Sequence, residues 1–165
     1  MLKLSNTDYK IITDTREKDL LIPQILHKNG IQTVRRKLDT GDYAIEYKDG
    51  YMPPVVVERK AHIDELIGNL LDNRKDVNGN NRFIRELERS KQQSLKVYLL
   101  IQDKDYYMKL ITGEYRSKVN TKAISGMIIS LLAKYPNLHI IAVDRELSPS
   151  MVYKVLFYEL REKLK

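Results

Sequence analysis

A chain of 165 residues has the length of one domain and can bury a sizeable hydrophobic core. It has no cysteine, which excludes disulfides and thiolate zinc sites, and no apolar run near the ~20 residues of a membrane span. The net charge of +7 sits mainly in residues 96–165, with 12 basic against 7 acidic side chains, and a basic surface favours polyanions through counterion release. Its first residues lack the apolar core of a secretion signal, so a soluble cytoplasmic protein is expected, with no membrane partner and no small-molecule cofactor.

Taken in chain order, residues 9–14 read as a first strand centred on Ile11 and Ile12. Residues 19–29 form a short helix, with Pro23 in its first turn and Asn29-Gly30 as its end signal. Residues 31–37, 43–47 and 55–59 are strands, the last two joined as a hairpin by the turn chemistry of Lys48-Asp49-Gly50. Residues 61–71 are an amphipathic helix with Ile63, Leu66, Ile67, Leu70 and Leu71 on one side. After a polar loop at 72–81 come a helix at 81–93, an apolar strand at 96–102, and a tyrosine-rich loop. A helix at 121–134, a strand at 138–143 and a helix at 148–163 complete the chain. The expected fold class is α/β, a mixed sheet with helices on both faces.

The chemistry concentrates at the end of the fourth strand. Val55-Val56-Val57 is a buried β-branched run that ends in Glu58-Arg59-Lys60. Side chains alternate along a strand, so Glu58 and Lys60 share one face and Arg59 takes the other. A hairpin centred near Gly50 sets Asp42 opposite residue 57 or 58, making Asp42 and Glu58 cross-strand neighbours. Two carboxylates that close repel unless a cation lies between them. Oxygen-only ligands favour Mg²⁺ or Mn²⁺. Lys60 could then hold the attacking water or neutralise charge on a phosphate. The plain structural alternative is a surface hairpin carrying a Glu58–Lys60 ion pair.

Two more acids border this strand end. Asp14 closes the first apolar strand, where α/β sheets place ligands, and could complete a metal cage with Arg16 serving a phosphate; its alternative is a helix cap. Asp64 shares a helix side with Ile67, Gly68 and Leu71, and its place in the first turn directs it toward Glu58 and Lys60. Its alternative is stabilisation of the helix dipole.

The ordered set Gly41-Asp42-Tyr43, Glu58-Arg59-Lys60 and Asp64 resembles the nuclease signature of the XPF family, and Asp14-Thr15-Arg16-Glu17 resembles that family's upstream aspartate motif. The family belongs to the restriction-endonuclease-like PD-(D/E)XK nucleases, whose mixed sheet agrees with the reading above. The resemblance implies a metal-dependent endonuclease acting on branched or flapped DNA in repair, recombination or replication. It implies Asp42 and Glu58 as metal ligands, Lys60 as the catalytic lysine, Asp14 as an acidic active-site residue, and Arg59 and Asp64 as supporting residues; the expected site adds Asp14 as a third metal ligand and Arg16 and Glu17 as supporting residues. It also matches an arginine that opens the following helix to Arg82, a phosphate contact.

Arg82, Arg85 and Arg89 recur at helical spacing, a pattern that equally suits a solvated face balanced by Glu86 and Glu88. The segment from Tyr106 to Lys118 interleaves aromatic rings with Lys109, Arg116 and Lys118; it could stack on bases and meet phosphates, or pack as a loop. The three histidines lack ligand spacing. Cellular members of the family usually carry a helix-hairpin-helix pair, for which the sequence has no room. The expectation is therefore a single nuclease domain over residues 1–165 (core 8–164), as in a stand-alone phage or mobile-element member acting inside a bacterial or phage-infected cell. DNA is the expected partner, with a homodimer left open. The alternative is a catalytically silent nuclease fold that positions a partner on DNA.

Overall fold

The computed structural model describes residues 3–165. Six strands are β1 (Tyr9–Thr13), β2 (Thr33–Arg35), β3 (Tyr43–Tyr47), β4 (Val55–Lys60), β5 (Lys96–Ile101) and β6 (Leu138–Ala142); six helices are α1 (Leu21–Lys28), α2 (Ile63–Leu70), α3 (Arg82–Gln92), α4 (Tyr106–Thr112), α5 (Thr121–Lys134) and α6 (Ser148–Lys163). The strands form one mixed sheet in the order β2-β1-β3-β4-β5-β6. The chain divides into two compact units: residues 1–58 with 146–165, and residues 59–145.

In the first unit, β1 runs parallel to β2 and antiparallel to β3, with Ile11 opposite Ile45 and Thr13 opposite Tyr43. Strand β3 is antiparallel to β4 in the register Tyr43–Val57, which confirms a hairpin centred on Gly50. Ile11, Ile12, Ile45 and Val57 are buried because these strands are covered, and α6 presents Val152, Leu156 and Leu160 at four-residue spacing as part of that core. Helix α1 ends as its sequence signals: Gly30 takes φ +76° and its N–H donates to the His27 carbonyl. Strand β2 is shorter than residues 31–37, and beyond it the Leu38 N–H donates to the Asp14 carboxylate at 2.6 Å.

In the second unit, β5 and β6 pair in parallel, joined through α4 and α5, as a parallel crossover requires. Helix α2 starts with a reciprocal cap. The His62 ring accepts from the Glu65 N–H, and the Glu65 carboxylate accepts from the Ala61 N–H at 2.7 Å. Asn81 caps α3 by accepting from the Ile84 N–H, while its amide donates to the carbonyls of Asn69, Leu70 and Asp72. The expected loop at 72–81 is present. The expected loop between Tyr106 and Lys118 is not wholly one, because Tyr106–Thr112 is helical. Tyr106 and Leu110, four apart, are buried on one side, and Gly113 ends the helix at φ +82°. That pair is a helical period which the cluster of tyrosines and lysines obscures. Among the described residues no helix is long and apolar enough to cross a membrane.

Candidate active site

The first unit brings three of the sequence-predicted acids onto adjacent rungs. The Asp42 carbonyl accepts from the Asp14 N–H at 2.8 Å, and the Asp42 N–H donates to the Val57 carbonyl at 2.9 Å. Asp42 is thus pinned through its backbone between the end of β1 and the residue before Glu58. Gly41 makes that placement possible. It sits at φ +80°, and a Cβ on it would stand 2.7 Å from the Val56 Cβ, so only glycine lets the chain approach β4 this closely. The side chains of Asp42 and Glu58 are both half-buried.

Asp14 is 1% exposed, and its carboxylate is heavily used. One oxygen accepts from the Arg16 N–H and Nε at 2.8 and 2.7 Å; the other accepts from Arg16 Nη2 and the Leu38 N–H. Burial alone would raise its pKa, but the hydrogen bonds from Arg16 and from the Leu38 N–H outweigh it and hold the group below the usual carboxylate range. Four donors occupy the lone pairs that a cation would need, so the geometry fits a positioning role for Asp14. Arg16 is turned onto Asp14 and also donates to the Leu38 carbonyl. Glu17, 5% exposed, accepts from the Asp19 N–H and from the Tyr43 hydroxyl.

In the second unit, Lys60 is 6% exposed, with its ammonium 5.6 Å from the centre of the Phe83 ring. Its carbonyl accepts from the Gln102 N–H, and Arg59 donates to the Gln102 side chain at 3.1 Å. Asp64 and Arg116, proposed separately from the sequence, meet: the Arg116 N–H donates to the Asp64 carboxylate at 2.7 Å. Arg82 is paired with Glu86 at 3.0 Å and is largely exposed. Lys118 is exposed between α4 and α5.

Lys109 lies against Asp103, at 2.8 and 2.9 Å from its two oxygens. Asp103 is the residue that sequence reasoning missed. It is 7% exposed, lies two residues past the end of β5 as Asp14 lies one past β1, and accepts from the backbone of Ile63 and Asp105. Burial raises its pKa, while Lys109 and those N–H groups lower it further, leaving it depressed. An acid closing an apolar strand was the available signal. It was obscured by Asp105 and Lys104, which make the stretch read as an ordinary charged turn.

Among the described residues no group of three or more histidine and carboxylate side chains is set to hold a metal ion. Asp42 and Glu58 carry hard carboxylate oxygens, the donor type that suits Mg²⁺ or Mn²⁺, which retain waters and take further ligands from phosphate oxygens.

The ERCC4 domain model matches residues 13–154, spanning both compact units. The chain is 29% identical over 140 residues to the DNA repair protein RAD1 of Saccharomyces cerevisiae, covering 79% of this chain and 12% of that protein. It is 25% identical over 162 residues to the DNA repair protein rad16 of Schizosaccharomyces pombe, covering 97% and 16%. The chain thus spans a minor part of these relatives' lengths. Among solved structures, XPF from Aeropyrum pernix superposes with a TM-score of 0.67 at 18% identity, over 92% of this chain and 65% of that one. The same protein in complex with DNA gives 0.65 at 18%, over 93% and 66%. At that identity the likeness shows the fold. Matched over most of its length by the ERCC4 model, the chain belongs to the ERCC4-domain family of XPF-like nucleases.

Proposed function

We propose that this chain is a divalent-metal-dependent DNA endonuclease acting on branched, flapped or junction DNA. The observation that carries the reading is the backbone pinning of Asp42 beside the residue preceding Glu58, with Lys60 two residues further along the same strand. Asp42 and Glu58 would hold Mg²⁺ or Mn²⁺. When bound, the ion supplies Lewis acidity toward water and the phosphate oxygens. Lys60, buried at the end of its strand beside Phe83, orients the attacking water or offsets phosphate charge. Asp14 fixes Arg16 and the loop at Leu38, and its N–H holds the Asp42 carbonyl in place. The repair proteins among its relatives support a role in repair, recombination or replication inside the cell, and the fold's likeness to a protein solved in complex with DNA supports DNA as the partner.

The test incubates the protein with duplex, flap, fork and four-way-junction DNA, with Mg²⁺, Mn²⁺ or EDTA, beside Asp42→Asn and Lys60→Ala. Cleavage that needs the metal and is lost in both variants is expected. Binding without cleavage under every metal condition would instead assign a silent DNA-positioning module. Cutting that survives both substitutions would move the active site elsewhere.

A further inference from the structure

The second unit carries a groove of about 480 Å³ between the loop at 72–81 and α3, lined by none of the candidate catalytic residues. Its loop wall is built by its own hydrogen bonds. The Asp76 carboxylate accepts from the backbone of Asn78 and Asn80, the Asp76 N–H donates to the Asn80 carbonyl, and Gly79 turns the chain at φ +76°. Its helix wall presents Arg85 and Arg89, one turn apart and both exposed.

The groove's own side chains balance, Arg85 and Arg89 against Asp76 and Glu88, and the positive excess comes from Lys134 behind Glu88. Glu88 is held by Lys134 at 2.7 Å and by the Tyr135 hydroxyl at 2.6 Å. Asp76 is shared between two backbone donors and Arg85, which stands 4.0 Å away and also donates to the Asn80 carbonyl. No carboxylate among the described residues holds the Arg89 guanidinium. With Glu88 held by Lys134, the Arg89 guanidinium is left to face the groove, beside the carboxamides of Asn78, Asn80 and Gln92. Guanidinium groups recognise phosphate through paired N–H donors, and carboxamides can both donate to and accept from sugars and base edges.

We propose that this groove binds the phosphodiester backbone of a nucleic-acid strand, with Arg85 and Arg89 as the phosphate contacts. Resting on the nuclease reading, the groove would hold an arm of the DNA substrate apart from the strand that is cut. The sequence expectation favoured Arg82 on this helix and left Arg85 and Arg89 open; Arg82 pairs with Glu86 and does not line the groove, while Arg85 lines it within 4.0 Å of Asp76.

The test is fluorescence anisotropy with a labelled flap duplex in EDTA, titrated at salt concentrations from about 50 to 200 mM. Arg89→Gln should lower the slope of log affinity against log salt by about 0.9, and Arg85→Gln/Arg89→Gln by about twice that. Affinity near 100 mM salt should fall roughly 3- to 10-fold per arginine, as expected when one phosphate contact is lost. Lys154→Gln, an exposed cation on α6, serves as the charge control and should keep the parental slope. If the double variant destabilises the loop, Arg89→Gln alone decides, since it removes no hydrogen bond or ion pair among the described residues. Parental slope and affinity in Arg89→Gln, or an equal loss in the control, would overturn the groove. Competition by a doubly phosphorylated peptide as strong as that by an oligonucleotide of equal charge would overturn the nucleic-acid assignment. Failure of the catalytic reading is separate, because it appears as Mg²⁺-dependent cutting absent from the parent protein whatever the slope.

Discussion

Gly41 lies so close to Val56 that a Cβ on the glycine would stand 2.7 Å from the valine Cβ and 2.9 Å from its Cγ2. This contact seats Asp42 against β4, and it makes Gly41 a residue of the site without any chemistry of its own. Gly41→Ala should destabilise the protein by about 3 kcal/mol, from the left-handed backbone and overpacking together. In a double-mutant cycle with Val56→Ala, a coupling of about 1 kcal/mol or more is expected. Zero coupling in urea melts would mean that the backbone conformation alone is responsible.

Lys60 should be separable into fold and chemistry. Lys60→Met keeps the aliphatic stem and the packing beside Phe83, so stability should change by less than about 2 kcal/mol. Cleavage should fall by roughly 100-fold or more, the usual worth of a positioned proton-handling group. Parental turnover by a folded Lys60→Met protein would remove Lys60 from the mechanism.

Asp14 makes a pH prediction. Its folded pKa is depressed, so its contribution is present above the unfolded value of about 3.9 and is lost as pH falls through the folded one. Asp14→Asn should cost about 2–3 kcal/mol at pH 7, because it weakens charge-assisted bonds from Arg16 and Leu38. Thermal melts should show that gap closing from about pH 4 downward. A gap that stays constant to pH 2 would show that the carboxylate charge is not what matters.

The Asp103–Lys109 pair should act on stability within the second unit. Asp103 is depressed and Lys109 raised, so the pair is intact from above about pH 4 to about pH 10. Its stabilisation is lost below that window as Asp103 protonates and above it as Lys109 deprotonates. A cycle of Asp103→Ala and Lys109→Ala should give a coupling of about 1–2 kcal/mol at pH 7 that vanishes near pH 2. A coupling that persists in acid would assign the contact to packing.

Much of this protein was legible locally. Valine runs, helical stripes and the turn at Lys48-Asp49-Gly50 depend on side chains within a few residues of one another, and they placed β3, β4, α2, α5 and α6. The order of Asp14, Asp42, Glu58 and Lys60 pointed to the family because motif spacing survives in sequence. Helix α4 was missed because only two of its residues, Tyr106 and Leu110, face inward, too few to show a period among exposed Tyr107, Met108 and Ile111.

What only the tertiary structure decided is which charges are spoken for. Arg16 and the distant Leu38 N–H occupy Asp14, Lys109 closes on Asp103, and Glu88 is taken by Lys134, which leaves Arg89 facing the groove. A sequence shows that a charge is present. Whether it is held by a partner or left to meet a phosphate depends on groups tens of residues away, brought close only when the chain folds.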